Sequence, residues 1–408
     1  MSDVAVTGLA AVAPNGPDTE EYWKATVEGI SGVSGISRYD AGRYPTRLAG
    51  EVRDFPAAEH LSSRLLPQTD RMTRMALVAS DRALADAGID PAARSGFDMG
   101  VVTASGSGGF EFAQNELQNL WSKGPKHVSA YQSFAWFYAV NTGQISIRHG
   151  MRGPGGVLVT DQAGGLDALG HARRRVRAGV PVVLAGGMDA SLSPWGLVAQ
   201  ITGGRLSRSD DPRRAYLPFD AAADGHVPGE GGALLVLEDA AAARARGARS
   251  YGTVAGYGAT FDPAPATGRP PGLRRAVELA LADARAHPAD IDVVFADGAG
   301  VRALDRAEAR ALAEVFGPCA VPVTVPKTMT GRLYSGASSL DAVAALLAIR
   351  DAVVPPTLHV TDLAEDCPVD LVRDTARHLP VRTALVLSRG HGGFNAALVL
   401  RGESGGEP

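Results

Sequence analysis

Apolar residues fall in short runs that alternate, along the whole chain, with stretches of helical spacing. Met99–Ala104 is an unbroken apolar run of the kind shown by strands buried on both faces. Val4–Leu9, Leu158–Thr160, Pro181–Ala185 and Gly232–Glu238 read as further strands. Between them the spacing predicts helices over Thr19–Glu28, Asp70–Ala87, Gly109–Trp121 and Gly165–Ala178. The third carries Phe110, Ala113 and Leu117 along one face. The second half repeats the alternation. Strands are expected at Gly252–Thr260, Ile291–Ala296, Val321–Val325, Thr383–Arg389 and Ala396–Arg401. Helices are expected at Gly272–Ala284, Arg306–Phe316 and Ser339–Ala348.

No linker separates the halves, and an Ala/Arg helix end occupies the junction near Ala240–Arg249. Two similar α/β halves without a linker imply a structural repeat fused into one core. The division expected is 1–245 and 246–408, with the tail after 401 disordered.

The 408 residues are enough for a large double domain. A net charge of −4 without a long basic run gives no footprint for nucleic acid. The chain enters a strand at once, so no signal peptide is read, and no apolar run approaches a membrane span. With two cysteines, Cys319 and Cys367, a reducing cytoplasm is the natural compartment. Neither cysteine sits where a helix N-terminus would activate a thiol, so both read as bystanders.

Chemistry concentrates at Val157–Gly165, an apolar strand running through Thr160-Asp161-Gln162 into a small-residue turn and a helix. This is the setting of a nucleophile elbow, which lifts one side chain toward a pocket beside helix N-terminal amides. Covalent catalysis there needs Cys or Ser. Gln162 can only donate and accept hydrogen bonds. Gly106-Ser107-Gly108-Gly109 does not match a dinucleotide loop, so no cofactor site is read there and its glycines serve a tight turn. Asp224-Gly225-His226 and Gly390-His391-Gly392 are glycine-rich loops whose lone histidines read as structural.

Taken in order, Thr160-Asp161-Gln162, Pro218 to Gly232, Ala296-Asp297-Gly298, Val325 to Arg332 and Ser388 to Asn395 resemble the β-ketoacyl synthases, from Val6 to Leu400. The resemblance implies the thiolase fold, an αβαβα layered sandwich of two similar fused halves. Members normally carry a Cys nucleophile and two His residues. By the resemblance, Gln162 replaces the Cys, Asp297 the first His and Arg332 the second, while Lys327 is kept. The degenerate pattern is similar to the chain length factor, the β subunit of the ketosynthase in type II aromatic polyketide synthases. So are Gln162–Leu169, Phe134–Asn141, Ala296–Gly300 and Gly331–Gly336.

The resemblance implies an obligate heterodimer with a catalytic ketosynthase α subunit, and a poly-β-ketone chain presented on the phosphopantetheine arm of an acyl carrier protein. It implies no cofactor or metal on this chain. It places Phe134, Trp136 and Phe137 at the subunit interface, and makes Phe110, Ala113 and Leu117 a gate on the tunnel. Without the resemblance, that face reads as plain packing. Loss of a nucleophile can cost on the order of 10⁶ in turnover, as it does in subtilisin. A carboxylate at Asp297 would further repel a developing enolate, by roughly 4 kcal/mol at about 4 Å and an effective dielectric of 20. Two roles stay open: a non-condensing subunit that completes a pocket, or a malonyl decarboxylase working through Gln162.

Overall fold

The computed structural model describes residues 3–403, except for the side chain at position 265. The disorder expected after 401 concerns mainly residues outside this range. The backbone of Gly402 is tied to Arg382 by a 2.8 Å hydrogen bond.

Eleven strands form the main sheet. In chain order they are β1 (Val4–Val12), β2 (Met99–Ala104), β3 (Gly155–Leu158), β4 (Val182–Ala190), β5 (Glu230–Asp239), β6 (Gly252–Phe261), β7 (Val293–Phe295), β8 (Pro322–Thr324), β9 (Asp370–Leu371), β10 (Thr383–Arg389) and β11 (Phe394–Arg401). Their spatial order is β9-β8-β7-β10-β11-β6-β1-β5-β4-β2-β3. From β1 outward, β5 and β4 pair antiparallel, then β2 and β3 parallel. From β6 outward, β11 and β10 pair antiparallel, then β7 and β8 parallel. The halves therefore share one topology. They join where Ala5 and Val6 pair with Thr253 and Gly252.

The principal helices are α1 (Arg71–Asp86), α2 (Phe110–Lys123), α3 (Gly164–Arg177), α4 (Leu273–Ala284), α5 (Arg302–Phe316) and α6 (Ser335–Asp351). α3 and α6 pack on each other and touch strands of both halves. α1 covers the outer face of the first half and α4 that of the second. The result is the expected five-layer αβαβα sandwich. Every residue of α6 from Ser335 to Ala348 is buried, which is what a helix apolar on all sides requires. Gly164 and Gly165 permit the close crossing. A Cβ on Gly164 would collide with the Ser335 hydroxyl, and one on Gly165 with the Ser335 carbonyl.

Several boundaries differ from the sequence expectation: the strand Pro181–Ala185 runs on to Ala190, the first strand to Val12, and the helix expected from Arg306 starts at Arg302. The short strand before the elbow lies at Gly155–Leu158, not 158–160, because Gly155 and Gly156 pair in register with Val101 and Val102. α6 extends beyond 339–348 at both ends, and the last strand begins at Phe394. No helix among the described residues is long and apolar enough to cross a membrane.

Candidate functional site

The elbow forms as the sequence predicts. β3 ends at Leu158, Asp161 takes φ +52°, a single 3₁₀ turn carries Gln162, and α3 starts at Gly164. A left-handed Asp is locally costly, of order 1–3 kcal/mol. It is held by its surroundings. The Ser335 hydroxyl donates to the Asp161 carbonyl at 2.8 Å, and the His391 amide donates to its carboxylate at 2.5 Å. The Ser388 hydroxyl donates to the Gln162 carbonyl at 2.8 Å. The Gln162 side chain is buried, and its Oε1 receives no donor.

Gln162, Asp297 and Arg332 all line one cavity of ≈ 350 Å³. Asp297 and Arg332 are both buried, and Arg332 Nη2 lies 2.7 Å from Asp297 Oδ1. Arg332 Nη1 donates to the Asp297 carbonyl at 2.8 Å, and the Arg389 amide to Oδ1 at 2.9 Å. Asp297 Oδ2 is left without a donor. Burial alone would raise the Asp297 carboxyl, but the Arg332 and Lys327 charges outweigh it and hold it below the ordinary carboxylate range. Burial opposes the Arg332 charge in turn, and Asp297 more than offsets it, so that guanidinium stays ionised. The loop carrying Asp297 is fixed from below. Glu308 on α5 accepts from the Asp297 and Gly298 amides at 2.7 and 2.9 Å.

Lys327 lies behind this pair. Its Nζ is 2.7 Å from Asp341 Oδ2 and donates to the Ala296 carbonyl at 2.6 Å. Burial raises the Asp341 carboxyl, with Lys327 opposing. Lys327 is absent from the cavity wall.

The cavity also collects residues that the sequence did not single out: Arg205, Arg389 and Tyr334. Both loop histidines, read as structural, join them. Burial, with help from Arg332, pushes His226 down to about 3, so it is neutral. Its Nδ1 is 3.2 Å from the Ala299 carbonyl. Tyr334 takes φ +49° just before α6. The motif around Gly390-His391 is legible as a loop, but nothing in its pattern says which cavity it faces. Cys319 is exposed and Cys367 buried, with its thiol pushed by burial up to about 12; neither lines the cavity. Among the described residues no cluster of His, Cys, Asp and Glu is placed to hold a metal.

The two further groups of candidates lie elsewhere. On α2, Ala113 is buried, Leu117 is exposed, and Phe110 stacks on Trp195 with ring centroids 4.9 Å apart. Trp136 and Phe137 are exposed on the surface, whereas Phe134 turns inward against the core that contains α1. Phe134 is half-buried, with its ring against apolar partners in its own chain.

A duplicated five-layer fold with a polar cavity at the elbow defines a thiolase-type condensing-enzyme scaffold. Family models for the β-ketoacyl synthase N-terminal domain and C-terminal domain match residues 1–243 and 251–361. The chain belongs to the β-ketoacyl synthase family. It is 62% identical to the tetracenomycin polyketide synthase ketoacyl synthase beta subunit of Streptomyces glaucescens, over 98% of both chains. It is 59% identical to the actinorhodin polyketide putative beta-ketoacyl synthase 2 of Streptomyces coelicolor, again over 98% of each. Among solved structures it is similar to the ishigamide ketosynthase/chain length factor, with a TM-score of 0.91, 28% identity and coverage of 99% and 100%. It is also similar to one chain of a solved complex described as a type II polyketide synthase acyl-carrier protein with its ketosynthase bound to the hexaketide, with a TM-score of 0.87, 27% identity and coverage of 98% and 99%.

Proposed function

We propose that this chain is a non-condensing chain length factor of a type II polyketide synthase. It pairs with a catalytic ketosynthase α subunit and shapes the tunnel that sets the length of an aromatic polyketide. Gln162 stands at the nucleophile position, and Asp297 and Arg332 stand where two imidazoles would act. The observation that carries this reading is the buried Asp297–Arg332 pair. It closes a salt bridge in the cavity wall, so neither group is free to act on a thioester carbonyl. The two halves divide near 245/246, where one strand set ends at Asp239 and its repeat begins at Gly252. The acyl chain arrives on the phosphopantetheine arm of an acyl carrier protein, and this chain needs no cofactor for its role.

Malonyl decarboxylation through Gln162 is the competing reading. The unpaired Oε1 favours it, since that amide still faces the cavity. Asp297 weighs against it, because a fixed carboxylate beside a developing enolate repels it. The test is to assay condensation and malonyl-carrier decarboxylation by this chain with and without the α subunit. Activity only in the pair supports the chain length factor. Carbon dioxide release by this chain alone selects the decarboxylase.

A further inference from the structure

α4 and α5 run side by side on the outer face of the second half and enclose a groove walled at one end by Pro270 and Pro271. Two stripes run down α5 along it. Ala303, Ala307 and Ala311 give a floor without bulk, and Arg302, Arg306 and Arg310 follow beside them at the same spacing of four. Arg274 and Arg275 face them from α4. The carboxylates in reach are Glu278, Glu314 and Asp366.

The five guanidinium groups are 47–79% exposed, the three carboxylates only 35–39%. Arg274 bridges Glu278 at 2.8 Å and Glu314 at 3.1 Å, and Arg310 meets Glu314 at 2.8 Å. Each of the five arginines meets at least one of these acids, and the arginines outnumber them five to three. A cationic rim with a smooth alanine floor stands out on a chain whose net charge is −4.

Arg389 lines both this groove and the polar cavity. Its amide donates to Asp297, and its Nη1 donates to the Leu304 carbonyl of α5 at 3.1 Å. Arg389 is therefore a wall shared by the groove and the degenerate site.

We propose that the α4–α5 groove docks the acidic helix of an acyl carrier protein. The small floor admits a helix closely, and planar guanidinium forks suit carboxylates and a phosphodiester. This surface lies on the non-condensing subunit itself, so each heterodimer offers a carrier site in addition to one on its catalytic partner. The inference rests on the carrier-fed role proposed above.

The test uses the reconstituted heterodimer and phosphopantetheinylated carrier protein. Native mass spectrometry and fluorescence titration are run at low and high salt. The wild type is expected to take two carriers, and its second site weakens as salt rises. R275E/R306E/R310E in this chain is expected to weaken the second site roughly tenfold or abolish it. R275K/R306K/R310K is expected to retain it with an unchanged melting temperature. One carrier per wild-type heterodimer, or two bound undiminished by the charge-reversed variant, overturns the assignment. So does a salt-sensitive doubling of the heterodimer that the same reversals abolish, since that gives the groove to a second copy. Failure here leaves the chain-length role intact if Ala113→Phe still shortens the product. A heterodimer that takes no carrier at all sinks both.

Discussion

Arg332 grips Asp297 twice, through the carboxylate at 2.7 Å and the backbone carbonyl at 2.8 Å. Both residues are almost wholly buried, so each charge depends on the other. Removing one partner of a buried pair typically costs about 3–5 kcal/mol, whereas replacing both with neutral groups of similar volume is often tolerated. Arg332→Met is therefore expected to lower the unfolding free energy of the heterodimer by about that amount. The double variant D297N/R332M recovers most of the loss. Equal destabilisation by single and double variants in urea unfolding would show that the pairing itself contributes nothing.

No acyl group is expected on this chain. Intact-mass analysis of the heterodimer after incubation with an acyl donor should show the adduct on the α subunit alone. Gln162→Ala should leave decarboxylation by the heterodimer within about twofold of wild type, because an amide has no nucleophilic form. An acyl adduct on this chain, or a hundredfold drop on that substitution, contradicts the non-catalytic reading.

Ala113 is the small, buried member of the α2 face, while Phe110 is already stacked on Trp195. On the proposed gate role, the small residue at 113 leads to an expected medium-to-long product, a decaketide or more. Ala113→Phe adds a ring at this buried position, so under the proposed gate role the reconstituted synthase is expected to release shorter polyketides at similar total carbon flux. Unchanged length with intact activity would reduce this face to ordinary packing.

Trp136 and Phe137 are exposed side by side at 46% and 38%. Paired aromatic surface of this kind is characteristic of subunit contacts. W136E/F137E is expected to abolish association with the α subunit in sedimentation velocity at micromolar concentration. An intact heterodimer would remove these two residues from the interface.

His226 has a folded pKa of about 3 against an ordinary 6.5. Between those values the unfolded chain binds the proton and the folded chain does not. Stability therefore rises with pH through that window, by up to ~1.4 kcal/mol per unit, and is flat above it. Relative to His226→Gln, the wild type should lose stability as pH falls from 6.5 to 5 and show no difference in slope between pH 7 and 8. Urea unfolding at four pH values decides the point. Parallel curves for both proteins would mean that the imidazole titrates in the fold as it does in the unfolded chain.

The elbow is legible in the sequence because it is local: an apolar strand, a small-residue turn and a helix occupy consecutive positions. The pairing of Asp297 with Arg332, and of Lys327 with Asp341, is legible too, since the family resemblance brings those positions together and buried charges require partners. The extent of α6 is hidden for the opposite reason. It is apolar on every side, so its spacing carries no period to mark where it starts at Ser335 or ends at Asp351. The position of β3 is obscured because its glycines conceal a strand whose existence depends on pairing with β2.

By itself, then, the sequence determined the alternating elements, their duplication and the presence of Gln162 in a strand–turn–helix, because each is written in adjacent residues or in motif order. The tertiary structure alone decided which loops share the cavity. It brought His226, His391, Arg205 and Arg389 to the cavity that Gln162 lines, from segments far apart in the chain, packed half-buried Phe134 against its own core, and left Trp136 and Phe137 outside. Those outcomes depend on how the two halves stack around α3 and α6, and stacking is a property of facing surfaces that no local pattern contains.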